Sequence, residues 1–268
     1  MTGNSATSHT ATSRLAYDSV GDGRLVVALP GAGDLRSEYR FVMDDLVAAG
    51  CRVVVADLPG HGEAPTAGEY TVASTADAII ELIDRLDAGT AVIVGTSFAP
   101  AAAIWAATER PDLVDGIVAI SPHLHADRSV RGRLVGLVTH FLLRGPWAAS
   151  AWAMLYRSWH KSTPPPDLDA ELARMRAMLA DPGRRRAVRR TLTAGRDGMD
   201  ARIAMLDLPS LVVFGSADDH FPDPAAEAAA VGASLHGEHV VVDGAGHYPH
   251  VEQPALVSRA ITTFLDEL

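Results

Sequence analysis

The sequence predicts an α/β fold: a mostly parallel sheet flanked by helices and interrupted by one long helical insertion. Three observations predict it. A continuous apolar run at residues 25–29, and the largely apolar segment 52–56, fit strands buried on both faces. These runs alternate with segments of helical period at a steady rhythm, as parallel α/β sheets require. The rhythm stops after Ser121, no strand signal appears over residues 123–207, and the strand pattern resumes at Ser210.

Each element has its own signal. Residues 1–13 are small and polar, with no positive start and no apolar run, and are expected to be a disordered tail rather than a secretion signal. Residues 15–20 fit an edge strand, closed by the turn Gly21-Asp22-Gly23. Residues 25–29 form the first buried strand and end at Pro30-Gly31. Over residues 38–49, Phe41, Val42, Leu46 and Val47 share a helical face, and Gly50 closes it. Strand 52–56, helix 74–86 (face Ile79, Ile80, Leu82, Ile83), strand 90–94, helix 99–107 and strand 113–120 follow. The insertion reads as helices at 134–143, 147–159, 168–179 and 184–192, separated by Gly145-Pro146, Thr163-Pro164-Pro165-Pro166 and Asp181-Pro182-Gly183. Strands 210–214 and 238–242 and helices 224–231 and 254–268 complete the pattern. One core, residues 14–122 and 208–268, with a helical insertion at 123–207, explains this better than two domains, because the strands on both sides read as one sheet.

The chain of 268 residues, 48% apolar and 21% charged, can bury a sizeable core. Its single cysteine, Cys51, excludes an internal disulfide. With 33 acidic and 23 basic residues, a net −10, it lacks the basic surplus of a nucleic-acid binder. Lys161 is its one lysine. The nearest approach to a membrane span, residues 134–156, is broken by His140, Arg144, Gly145 and Pro146. The expectation is a cytoplasmic monomer or homodimer that acts on a small molecule and has no nucleic-acid or membrane partner.

The strongest chemical signal is Val92-Ile93-Val94-Gly95-Thr96-Ser97-Phe98-Ala99, where a buried strand runs into a serine and a helix follows at once. Small residues two before and two after the serine fit the sharp strand–turn–helix of a nucleophile elbow. That turn strains the serine backbone and lifts the hydroxyl to a helix N-terminus, where a developing anion is favoured. A strand-to-helix turn with an incidental serine has the same local pattern. Serine also needs a base to become nucleophilic. Two later strands end in titratable residues: Ser216-Ala217-Asp218-Asp219-His220 after one, and Asp243-Gly244-Ala245-Gly246-His247-Tyr248-Pro249-His250 after the other. Open α/β sheets place their sites at these carboxyl ends. No cluster has metal-ligand spacing, since His123 and His125 lack a third ligand. Gly31-Ala32-Gly33 lacks the Lys-Ser/Thr of a phosphate loop. The run Arg184, Arg185, Arg186, Arg189 and Arg190 reads as a solvated helix face, although it could dock a carrier protein or an anion.

The chain resembles the α/β-hydrolase fold superfamily. The likeness rests on five segments in that family's order: Leu29-Pro30-Gly31-Ala32-Gly33, Val55-Ala56-Asp57-Leu58-Pro59-Gly60-His61-Gly62, Gly95-Thr96-Ser97-Phe98-Ala99, Phe214-Gly215-Ser216-Ala217-Asp218 with Pro222, and Gly244-Ala245-Gly246-His247. Each alone is weak; together they span nearly all of residues 24–268. The resemblance implies Ser97 as nucleophile, His247 as general base and Asp218 as the acid that orients it. Asp219 and His250 are the rivals; the spacing to Gly215 and Pro222 favours Asp218, and the preceding glycines favour His247. It implies an oxyanion hole from the N–H groups of Ala32 and Phe98, with Pro30-Gly31 where many relatives have His-Gly and Ala99 where the pattern has glycine. It makes His61 structural, requires no cofactor or metal, and makes the insertion a cap after the sixth strand. Trp147, Trp152 and Tyr156, with His123 at the rim, are then the expected substrate contacts, although aromatic residues at helical spacing also build cores. The activity implied is hydrolysis of a small to medium, largely apolar ester. The same triad on this fold also serves lyases, perhydrolases, C–C hydrolases and biosynthetic cyclases, and some members are ligand-binding receptors.

Overall fold

The computed structural model describes residues 6–8, 14–125, 137–138 and 141–268. Eight strands form one sheet: β1 Ala6–Ser8, β2 Ala16–Val20, β3 Arg24–Leu29, β4 Cys51–Asp57, β5 Ala91–Thr96, β6 Val114–Ile120, β7 Ser210–Gly215 and β8 Glu238–Val242. Their order is β1-β2-β4-β3-β5-β6-β7-β8. The first two strands run antiparallel to their neighbours; β3 through β8 are parallel. Residues 6–8, expected within a tail, instead add a strand outside β2, so β2 is not the edge; the rest of that tail lies outside the described residues.

Alternation along each parallel strand explains the continuous apolar runs. Leu25, Val27 and Leu29 of β3 face one core layer, with Ile79 and Leu82 of α2 (Val72–Leu86) and the alanines of α3 (Ala99–Glu109). Val26 and Ala28 face the opposite layer, with Leu46 of α1 (Met43–Ala48) and Val257, Ile261 and Phe264 of α10 (Pro254–Asp266). Both faces are covered, so both sets must be apolar. Helix α2 starts at a reciprocal Thr71–Ser74 capping box.

Residues 38–49 depart from the single helix expected. A 3-10 turn, Arg36–Tyr39, precedes the short α1. The cause is tertiary. Glu38 and Tyr39 turn inward, where Glu38 Oε2 accepts the Gly31 N–H at 3.1 Å. The Tyr39 hydroxyl donates to the Leu29 carbonyl at 2.9 Å and also meets Thr96.

Between β6 and β7 the described elements are helices: α4 Ala148–Ser158, α5 Leu168–Ala180, α6 Pro182–Leu192 and α7 Met199–Met205. Half of the helix expected at 134–143 lies outside the described residues; residues 137–138 and 141–142 are helical. Leu143, Trp152, Tyr156, Leu172, Met175 and Leu179 pack with Leu35 and with Tyr248 and Val251 of the core in a third apolar cluster. Helices α8 (Pro224–Ser234) and α9 (Pro249–Glu252) flank β8 in the chain. Among the described residues no helix is long and apolar enough to cross a membrane.

Candidate active site

The parallel register brings four chain ends together. Ser97 follows β5, His123 follows β6, Asp218 follows β7 and His247 follows β8, and these strands are neighbours in the sheet. Ser97 adopts φ +57°, a left-handed conformation uncommon for a residue with a side chain. Its amide donates to the Ile120 carbonyl at 2.9 Å, and its carbonyl accepts from the His123 amide at 2.8 Å. These bonds from β6 hold the turn. Space explains its small residues: a Cβ on Gly95 would lie 2.9 Å from the Pro100 nitrogen. Ala99, in place of the family's glycine, fits fully buried.

His247 donates from Nδ1 to Asp218 Oδ2 at 2.8 Å. The rivals go elsewhere. Asp219 pairs with Lys161 at 2.6 Å. His250 is sealed in the interior with Nε2 2.8 Å from Glu38 Oε1. His61 is buried and uses Nδ1 against the Pro59 carbonyl. Within the arginine run, Arg184 and Arg185 are only partly solvated, because they donate to backbone carbonyls of residues 61, 64, 179 and 180.

Asp218 has a second ring on it. His220 donates from Nδ1 to Oδ1 at 2.9 Å, and its backbone N–H reaches the same oxygen at 3.1 Å. The His220 and His247 rings lie 4.0 Å apart. Burial alone would raise the Asp218 carboxyl. The facing His247, with the hydrogen bonds from His220 and His247, outweighs burial and holds it well below the usual carboxylate range. Burial, then the nearby His247, lowers the pKa of His220 and His123, so both favour the neutral form. Potential ligand atoms of Asp218, His220 and His247 all lie within 4.8 Å, a cluster that chain spacing did not reveal.

The loop after β3 lies close against Ser97. A Cβ on Gly31 would sit 3.4 Å from Ser97 Cβ and 2.8 Å from Asp34 Oδ2. Among the described residues no hydrogen bond occupies the N–H groups of Ala32 or Phe98, so both donors remain available. The buried carboxyl of Asp34 accepts from Tyr248. Burial, then the neighbouring Glu38, raises its pKa.

The expected substrate contacts divide. The His123 ring stacks on Phe221 at 4.8 Å and lies 5.6 Å from His247. Trp152, 2% exposed, is packed away: its Nε1 donates to the Gly33 carbonyl at 3.1 Å. Tyr156 packs on Tyr248 at 4.8 Å and is equally enclosed. Trp147 is 47% exposed and its ring meets Phe141; none of its described ring contacts joins it to His247. Trp159 does approach the histidine pair, 4.8 Å from His220 and 6.2 Å from His247. Neither Trp159 nor His220 is among the site residues expected from sequence. The one available signal was the Asp-x-His spacing at 218–220.

A Glu252 clasp joins the His247 loop to the segment after α4. Oε1 accepts the Gly246 N–H at 2.7 Å. Oε2 accepts the N–H groups of Lys161 and Ser162 and the Ser162 hydroxyl. The His247 amide donates to the Trp159 carbonyl at 3.1 Å.

Comparison with known proteins agrees with this architecture. Residues 26–260 match the profile of the alpha/beta hydrolase family. The chain is 30% identical over 239 residues to a pimeloyl-[acyl-carrier protein] methyl ester esterase of Neisseria meningitidis, covering 82% of this chain and 72% of that protein. It is 29% identical over 273 residues to an uncharacterized Mycobacterium tuberculosis protein, covering 94% and 78%. Among solved structures, a Bacillus anthracis bromoperoxidase superposes with a TM-score of 0.82 at 14% identity, covering 94% of this chain and 95% of that one. An esterase of Thermogutta terrifontis gives 0.77 at 23% identity, covering 100% and 99%.

Proposed function

The chain belongs to the alpha/beta hydrolase family, and on that premise we propose that it is a serine hydrolase cleaving a small to medium, largely apolar carboxylic ester through an acyl-enzyme on Ser97. The observation that carries this reading is the strained Ser97 turn in one site with a buried His247–Asp218 hydrogen bond of 2.8 Å.

In this mechanism His247 takes the Ser97 proton at Nε2 as Oγ attacks the ester carbonyl. The oxyanion is received by the Ala32 and Phe98 N–H groups; losing one such donor costs about 3 kcal/mol of barrier stabilisation. Collapse expels the alcohol, which takes the proton from His247. Water, activated by His247, then releases the acid and restores Ser97. Asp218 stays ionised and steadies the imidazolium.

Residues 14–122 and 208–268 are the catalytic core, and 123–207 its cap. The seating of Trp152 on Gly33 and of Trp159 beside His247 supports that assignment; a cap excludes water from the acyl-enzyme. Intact mass after fluorophosphonate treatment tests the reading. Wild type should gain one adduct, Ser97→Ala none, and His247→Ala little in the same time. An unlabelled wild type would count against an activated serine.

A further inference from the structure

Arg196 lies between α6 and α7, on the return to the sheet, and touches two residues of the site. Its guanidinium lies 4.8 Å from the centre of the Phe98 ring, directly after the nucleophile. Nε donates to the His123 carbonyl at 3.0 Å, and Nη1 to the Ala194 carbonyl at 2.8 Å.

What Arg196 lacks is an anion. Among the described residues no carboxylate pairs with it, whereas Arg36, Arg40, Arg110 and Arg202 each hold at least one. Arg196 is half-buried, and drawing a guanidinium partly out of water without a counter-charge is unfavourable. Burial alone acts on its pKa and lowers it to about 10, so the group remains charged at neutral pH. The chain carries 33 acidic residues against 23 basic ones, so scarcity of carboxylates does not explain the vacancy. A purely structural latch is satisfied by the two carbonyls and the aromatic face. It leaves Nη2 with no partner among the described residues, and that atom is not among those sealed from solvent.

We infer that Arg196 is a carboxylate-binding residue of the substrate pocket, so that the preferred ester carries a free carboxylate at the far end of its acyl chain. A carboxylate would engage Nη2 and the remaining Nη1 N–H side by side, the planar fork that suits arginine. The Phe98 ring lies under the guanidinium, and the Phe221 and Trp159 rings stand against His123 and His220. This inference rests on the serine-hydrolase reading and narrows its substrate class.

The test compares two nearly isosteric substrates, the p-nitrophenyl monoester of glutaric acid and p-nitrophenyl valerate. The readout is the ratio of their kcat/KM values. Wild type should favour the charged ester by about tenfold or more, chiefly through KM, and Arg196→Gln should bring the ratio to about one. Arg196→Lys, which keeps the charge but not the fork, should fall between. A wild-type ratio near one overturns the inference without needing a variant. So does an Arg196→Gln enzyme that slows on both esters equally, which is the behaviour of a latch. Fluorophosphonate labelling separates the two levels: labelled enzyme without charge preference sinks only the carboxylate site, whereas no labelling sinks the hydrolase reading beneath it.

Discussion

His220 shares the carboxylate on which His247 depends. Burial and His247 hold it neutral, so it donates to Asp218 Oδ1 without adding charge. Asp218, Asp219 and His123 also face this pair, with Lys161 engaged on Asp219. Removing the donor in His220→Ala leaves the carboxylate more available to the base. The acid limb of the kcat/KM profile should then move to higher pH by about half a unit. An unchanged profile would mean that His220 only fills space. The elbow serine was readable because Gly95, Thr96, Ser97 and Ala99 declare the turn locally. His220 was not, because its role depends on how the loop after β7 folds back on Asp218. Glu38 was hidden for the same reason: only the fold shows that a residue expected on a helix supports Gly31 and meets His250.

Within the apolar cluster that holds helix α4, one tryptophan sits over one glycine. A Cβ on Gly33, at φ +92°, would fall 2.2 Å from the Trp152 ring, so Gly33→Ala is both strained and obstructed. Trp152→Ala removes the seat instead and should cost about 3–5 kcal/mol of stability. Both variants should unfold at lower urea concentration and lose kcat more than KM, because the strip they disturb carries Ala32. Loss of stability with kcat intact would separate α4 from the loop that carries Ala32. At this scale most strands and helices were legible from apolar periodicity. The misses were β1, whose three small residues carry no strand signal, the 3-10 turn and α1, bent by inward polar side chains, and α7 and α9, which are too short to show a period.

At the scale of the whole molecule, four histidines that burial pushes toward the neutral form shape the response to acid. Burial is the first cause lowering His61, His123, His160 and His220, with His61 brought from 6.5 to about 4. A base with a depressed folded pKa stabilises the fold above its unfolded value and loses that contribution as pH falls toward the folded one. The loss therefore begins near pH 6.5, and His61 alone accounts for about 3 kcal/mol by pH 4. Asp34, whose pKa is raised, acts in the opposite sense and softens the fall. The urea midpoint should drop between pH 6.5 and 4, and more gently in His61→Asn, whose amide can still meet the Pro59 carbonyl. Equal slopes for both proteins would rule His61 out as a source. The fold as a whole was legible because five weak motifs stand in one order along the chain. The meeting of Arg196 with Phe98 was not, because it joins the end of the insertion to the turn between β5 and α3.

The Lys161–Asp219 pair has a practical consequence for labelling chemistry. Lys161 is the only lysine in the sequence, it is 28% exposed, and its backbone is clasped by Glu252 beside the His247 loop. Above neutral pH an amine-reactive dye has just two primary amines to find, the chain terminus and this one. A fluorophore at Lys161 would therefore report, in real time and without engineered cysteines, whether the 159–162 segment shifts when a substrate arrives.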